Sequence, residues 1–293
     1  MTDRKKRIRQ EIRKEAFIKE KAAAIDMKQK KTGWGIVLAV LILLTGADAV
    51  RASGAHTAET PYNWYCKNRE GNVPPDIAPE FSFIGEHGGY WLDEGKKNDT
   101  DDKVIYLTFD AGYENGNVEK ILDALKKHQA TGAFFVLSNL VTTNTDLVKR
   151  MKNEGHLICN HTSKHKNMTR ITDYAVFEAE LRALEQVYFE KTGEKLDPFY
   201  RPPEGCFSEE NLDFAQKCGY KTIFWSYAYA DWDNKKQLPS VKAKDKVLAH
   251  THNGMVLLLH PTSQTNAEIM DELLTEWERE GYRFGSLYEL TGS

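Results

Sequence analysis

Cysteine is scarce, with four residues (Cys66, Cys159, Cys206, Cys218) in a chain of 293 and no CxxC or other zinc-finger spacing among them. A structural zinc knot is therefore excluded. An exported chain could form a disulfide, but no pair is singled out, and free thiols are expected for most of the four. A G-x-S-x-G elbow, a P-loop, a dinucleotide glycine motif and a His-Glu-x-x-His helix are all missing, so the chemistries tied to them have no support here. Internal repeats and low-complexity tracts are absent too, which sets aside a solenoid. What is present is a chain 41% hydrophobic and 11% aromatic, enough for one sizeable core.

Charge is unevenly spread. Residues 1–32 carry twelve Lys/Arg against five Asp/Glu, a surplus of +7 that leaves −10 for the rest of a chain whose total is −3. An acidic main body argues against nucleic acid as a partner, because phosphate backbones reward clustered positive charge. Residues 33–50 hold an apolar stretch of about thirteen, short of the roughly 20 of a spanning helix. It suits a signal h-region followed by the small-x-small site Ala47-Asp48-Ala49, or an anchor, which the long basic flank favours. Either reading places the main body outside the cytoplasm, membrane-anchored or secreted.

The chain divides into a basic cytoplasmic segment (1–32), the membrane segment (33–50), a stalk and extended packing segment (51–102) and a catalytic domain (103–293). Residues 51–102 are polar but hold Tyr62, Trp64, Tyr65, Phe81, Phe83, Tyr90 and Trp91, too many aromatics for a bare linker. From residue 103 apolar runs alternate with helical spacing. Strands are predicted at Val104–Phe109, Gly132–Leu137, His156–Asn160, Phe199–Tyr200, Lys221–Trp225, Met255–Leu259 and Tyr282–Phe284. Between them fall helices at Val118–Lys127, Asp146–Asn153, Tyr174–Lys191, Ser208–Lys217, Ser240–His250 and Ala267–Glu280. The alternation implies βαβ units and a parallel sheet, an α/β fold whose unit count favours a barrel over an open sheet.

In such folds function gathers where strands end. The first strand delivers Asp110 onto a glycine-rich turn that also holds Tyr113 and Asn115. The third delivers His161 and His165, four apart and able to face one cation. The fourth runs into Arg201-Pro202-Pro203-Glu204-Gly205, where two prolines stiffen the turn and the arginine can grip a carboxylate bidentately. The fifth leads through aromatics to Asp231-Trp232, and Met255–Leu259 ends at His260. Two carboxylates, a histidine pair, an arginine and a further histidine make a set for metal-assisted hydrolysis with a general base and a general acid.

TFDAG, HTSKH, RPPEG, ADW and LLH occur in the order of the polysaccharide deacetylase (NodB-homology) domain, carbohydrate esterase family four, which residues 103–290 resemble. The longer strings YENGN, NHTSKH, RPPEGCFSE, FWSYAYADW and LLLHPTSQTNAE are similar to the delta-lactam-biosynthetic branch, which de-N-acetylates muramic acid in spore-cortex peptidoglycan. The resemblance implies a distorted (β/α) barrel. It also implies Asp110 as base, Arg201 as its orienter, His161 and His165 as ligands of a divalent metal (zinc above others), His260 as acid and Asp231 as its tuner. Trp232, Glu204, Asn115 and Tyr113 would contact substrate, with a backbone N–H near Glu204 facing the oxyanion. Three residues depart from the family pattern: Ala111 stands where a metal-binding Asp is usual, Glu204 where Tyr is usual, and Ala228 where the first Asp of DxxDW is usual. Ala111 leaves the metal two motif ligands, with Asn115 or Cys159 as candidate thirds. Peptidoglycan strands and, through residues 33–50, the membrane are the expected partners. The alternatives are a catalytically inactive glycan-binding module and a deacetylase of chitin-like or xylan substrates.

Overall fold

The computed structural model describes residues 61–69 and 71–293. The basic and membrane segments lie outside these residues, and no described helix is long and apolar enough to cross a membrane. The elements in chain order are β1 (Tyr62–Asn63), β2 (Gly89–Tyr90), β3 (Lys103–Ala111), α1 (Val118–Lys127), β4 (Gly132–Val136), α2 (Ser138–Thr143) and α3 (Thr145–Asn153). They continue with β5 (Leu157–Asn160), α4 (Tyr174–Thr192), β6 (Phe199–Tyr200), β7 (Cys206–Phe207), α5 (Glu209–Lys217), β8 (Lys221–Ile223) and β9 (Tyr227–Ala228). The last are α6 (Ser240–Ala249), β10 (Met255–Leu259), α7 (Gln264–Arg279), β11 (Tyr282–Phe284) and α8 (Leu287–Thr291).

Eight strands form one parallel path, β2-β8-β6-β5-β4-β3-β10-β9, and β11 pairs with the start of β3. The sheet curls into a half-barrel flanked by helices. Its two end strands share no ladder, so the expected ring of hydrogen bonds is not closed; the contact nearest to closure is an isolated antiparallel bridge, Leu92 to Met255. The strands at that seam are two residues long, too short to zip the edges together.

Strand alternation sorts the side chains. Ile105, Leu107, Phe109 and Ala111 of β3 join Leu257 and Leu259 of β10 against helical residues such as Leu122, Leu125, Leu273 and Trp277. The opposite parity, Val104, Tyr106, Phe135, Cys159, Phe199 and Val256, fills the inside of the curl. Continued to the strand ends, that inner parity carries Asp110, His161, Arg201 and His260. Helix ends follow local chemistry: Asp173 caps α4, Ser208 caps α5 through the Asn211 N–H, and α4 stops at Gly193 with φ 79°.

The aromatic segment ahead of β3 packs as a third cluster, with Trp64, Phe81, Ile84, Trp91 and Leu92 against Phe207 and Phe224. β1 pairs antiparallel with β7, Tyr62 facing Phe207 and Asn63 facing Cys206. Trp64 stacks on Phe224 (ring centroids 4.6 Å apart), and its indole N–H donates to the Trp225 carbonyl at 2.9 Å. All four cysteines are free thiols.

Candidate active site

Arg201 lies at the centre of the site. Although it sits on a loop, it is 0% exposed. Its Nε donates to the Ile223 carbonyl (2.9 Å), and Nη2 donates to Thr108 Oγ1 (2.9 Å) and the Phe224 carbonyl (3.1 Å). Nη1 donates to Asp110 Oδ1 at 2.9 Å, and the guanidinium carbon lies 4.2 Å from the Phe135 ring centroid. The expected bidentate grip is thus a single hydrogen bond, because the second Nη serves Thr108 and Phe224. Burial alone would push the Asp110 carboxyl up, but the His161 ring, once it is protonated at low pH, and the charges of Arg201 and His260 outweigh burial and hold it below its ordinary value.

His161 is buried, and its Nδ1–H donates to the Arg201 carbonyl at 2.9 Å, which fixes the tautomer and leaves Nε2 as a lone-pair donor. Burial pushes this imidazole down to about 4, with the neighbouring His165 acting in the same direction, so it is neutral at pH 7. Nε2 stands 3.5 Å from Asp110 Oδ2. Two electron-rich atoms face each other there, an arrangement that a cation between or beside them relieves. The His165 ring meets His161 edge-on with centroids 5.0 Å apart. Thr162 (φ 70°) and His165 (φ 54°) both adopt left-handed backbone, held by Asn160 Oδ1 accepting the Thr162 N–H (2.8 Å) and Thr162 Oγ1 accepting the His165 N–H (2.9 Å). The histidine pair fits one side of a divalent cation. Among the described residues no group of three or more His, Cys, Asp or Glu is arranged to hold a metal.

Of the two candidate third ligands, Cys159 joins no metal-holding group among the described residues. The Cys159 thiol is wholly buried in the inner cluster, and burial raises its pKa well above the ordinary thiol value. Asn115 gives its amide N–H to the Thr262 carbonyl (2.8 Å) and tethers its loop there. The Ala111 side chain has the outer parity and is fully buried in the core beneath the helices.

Opposite Asp110, His260 pairs with buried Asp231. Nδ1 meets Asp231 Oδ1 at 2.7 Å, and the His260 backbone N–H donates to Oδ2 at 2.7 Å. Burial works against the charged ring, but the hydrogen bond and charge of Asp231, with Asp110 beyond, outweigh it and raise the imidazole above its ordinary value. Asp110, His165 and His260 open into one cleft of about 780 Å³, walled by Trp225, Tyr229, Trp232 and Glu204. Trp232 is 65% exposed and stands at its rim. Tyr113 lies outside the residues lining the cleft; its hydroxyl accepts a hydrogen bond from Asn234 at 2.7 Å.

Glu204 sits in left-handed backbone (φ 62°). In its turn the Gly205 N–H donates to the Pro202 carbonyl and the Cys206 N–H to that of Pro203, so the Glu204 N–H is the amide those bonds leave over. The sequence reading missed three residues. Trp225 and Tyr229, which form cleft walls, were legible in the FWSYAYADW string. Asn266, in LLLHPTSQTNAE, donates to Asp231 Oδ2 at 2.6 Å.

The Asp110 carboxylate beside Arg201, His260 on Asp231 and His165 of the histidine pair thus open into one cleft, and comparison with known proteins agrees in kind. Residues 97–223 match the polysaccharide deacetylase family model. The peptidoglycan-N-acetylmuramic acid deacetylase PdaA of Bacillus subtilis is 38% identical over 249 residues, covering 83% of this chain and 92% of PdaA. The chain belongs to the polysaccharide deacetylase family. The solved structure of PdaA, a family 4 carbohydrate esterase, superposes with a TM-score of 0.74 over 79% of this chain and 97% of that one. A family 4 carbohydrate esterase from Bacillus anthracis, 35% identical, gives 0.64 over 80% and 97%. A family 4 pseudoenzyme from Bacillus anthracis, 25% identical, gives 0.58 over 65% and 66%.

Proposed function

We propose that this family member removes N-acetyl groups from amino sugars of peptidoglycan, N-acetylmuramic acid first among them, in spore-cortex delta-lactam synthesis. The observation that carries the reading is a pair of carboxylate–cation couples at one cleft that present opposite members to it, Asp110 held by Arg201 and His260 held by Asp231. Amide hydrolysis needs both a proton acceptor for the attacking water and a proton donor for the leaving amine. The similarity to PdaA supports muramic acid as the sugar.

In this reading Asp110, ionised at neutral pH, takes the proton of the attacking water, and Arg201 fixes which carboxylate oxygen does so. The Glu204 N–H faces the oxygen that gains charge. His260 hands its Nε2 proton to the departing nitrogen while Asp231 keeps Nδ1 protonated and the ring in place. Trp225, Tyr229 and Trp232 hold the sugar face. A divalent cation, zinc by preference, bound through His161 and His165 would supply the Lewis acid that makes water acidic enough to attack. The distorted barrel of the family frames this cleft, and residues 33–50 tether the enzyme to the membrane with residues 103–293 as its extracytoplasmic catalytic domain.

The second reading, a glycan-binding module without activity, is favoured by Ala111 and by the existence of a pseudoenzyme relative. Retention of both acid–base pairs speaks for the enzyme, because binding alone requires neither. Acetate release from muramic-acid glycan, chitooligosaccharide and acetylxylan, before and after chelation, separates the readings. Acetate from the muramic-acid glycan is expected, lost on chelation and lost in Asp110→Asn. Full activity of that variant on every substrate would sink the mechanism.

A further inference from the structure

Asn266 lies in the first turn of α7, six residues beyond His260, and touches neither the cleft nor the histidine pair. It is fully buried with every polar side-chain atom engaged. Oδ1 accepts from the Tyr229 hydroxyl, and Nδ2 donates to Asp231 Oδ2 (2.6 Å) and to the His260 carbonyl (3.1 Å). The orientation of the amide follows from its partners, since a carboxylate and a carbonyl can only accept. Its backbone N–H is held by Ser263 Oγ at 3.0 Å. Asp231 Oδ2 is thereby occupied by two donors, and only Oδ1 remains for the imidazole. The ring has one carboxylate oxygen to follow and one orientation to take, with Nε2 left for the cleft.

We infer that Asn266 is a positioning residue for leaving-group protonation: it locks Asp231 so that His260 holds one orientation, and Tyr229 ties that lock to the cleft wall. The inference rests on His260 being the acid proposed above. Tyr229 is the link that reaches substrate, because it lines the cleft and spends its hydroxyl on Asn266. The charged groups facing His260 are Asp231 after β9, Asp110 at the end of β3 and Arg201 after β6; Asn266 on α7 adds a neutral dipole that draws charge off Asp231. Removing that dipole concentrates the Asp231 charge on Nδ1 and tightens the hold of His260 on its proton.

The test uses the full chain carrying Asn266→Leu, Asn266→Asp or Tyr229→Phe. His260 is titrated by proton–nitrogen NMR of the ring without substrate, and pH–rate profiles of acetate release are recorded beside it. For Asn266→Leu the expected result is a His260 titration displaced to higher pH by about half a unit or more, with kcat down about tenfold and KM within twofold. Asn266→Asp, which sets a second carboxylate against Asp231, is expected to displace the titration further. Tyr229→Phe deletes one hydroxyl and keeps the fold, so it should give a smaller shift in the same direction. A His260 titration unmoved in Tyr229→Phe and in any folded Asn266 variant would overturn the inference. The ring titration needs no turnover, so a wild-type protein that releases no acetate from any substrate would refute the deacetylase reading and leave this test intact.

Discussion

Replacing Arg201 tests the site and the fold together. The side chain has no exposure, four hydrogen bonds and an aromatic ring beneath it, so its loss leaves buried partners unpaired. Arg201→Met keeps much of the bulk but strands the Asp110 charge and leaves the Ile223 and Phe224 carbonyls without this donor. Breaking a buried ion pair from one side costs about 3–5 kcal/mol, and an unsatisfied buried carbonyl about 1–3 kcal/mol. A loss of at least about 3 kcal/mol is therefore expected. The catalytic consequence has a definite sign. Arg201 is one of the charges that lower the Asp110 carboxyl, so without it Asp110 takes up its proton at higher pH and, in the proposed mechanism, the acid limb of the pH–rate profile moves upward. Arg201→Lys keeps one charge but cannot reach all four acceptors, and should fall between the two in stability and in the position of the limb. Urea unfolding and acetate release between pH 4 and pH 9 measure both. An Arg201→Met protein within about 1 kcal/mol of wild type, or with its acid limb unmoved, would refute the reasoning.

Three further outcomes follow from local geometry. Trp232→Ala removes an exposed rim aromatic, so stability should change by about 0.5 kcal/mol or less, while KM for glycan rises about fivefold with kcat unchanged, as for lost uniform binding; a lowered kcat at constant KM would contradict this. Gly205→Ala places a Cβ 2.8 Å from the Trp225 ring at φ 67°, and a loss of about 1–3 kcal/mol in urea unfolding is expected, a neutral variant being the adverse result. His156 accepts the Gly132 N–H at 3.1 Å, and burial holds its pKa down from 6.5 to about 4. The unfolded chain therefore binds the proton first, so stability is full above pH 6.5 and falls by about 3 kcal/mol towards pH 4 through this residue. His156→Gln should lose less over that window, and parallel stability curves would show that His156 does not titrate as described.

The strand ends were legible because they close unbroken apolar runs, and β3, α1, β10 and β11 fall within two residues of where hydrophobic spacing puts them. α2 was missed: its run Ser138–Thr143 has only two buried residues and no apolar stripe to announce it. β2 and β9 are two residues each, set by pairing with β8 and β10, and no local pattern marks them. For the same reason alternation called for a barrel without revealing where its seam fails to close. Within the site, Asp110, His260 and the histidine pair could be read one motif at a time. The burial of Arg201 and the three-way use of Asn266 could not, because each depends on carbonyls and carboxylates brought from distant segments.

The anchoring of Trp225 also bears on how the protein can be shortened. Its carbonyl is met from outside the matched segment 97–223, by the Trp64 indole at 2.9 Å and the Cys66 thiol at 3.1 Å. A version trimmed to start at residue 97 would uncover Phe207 and Phe224 and free one cleft wall to drift. The smallest portable unit therefore begins upstream of Tyr62, and a graft of the five sugar-amidase motifs alone would arrive without its buttress.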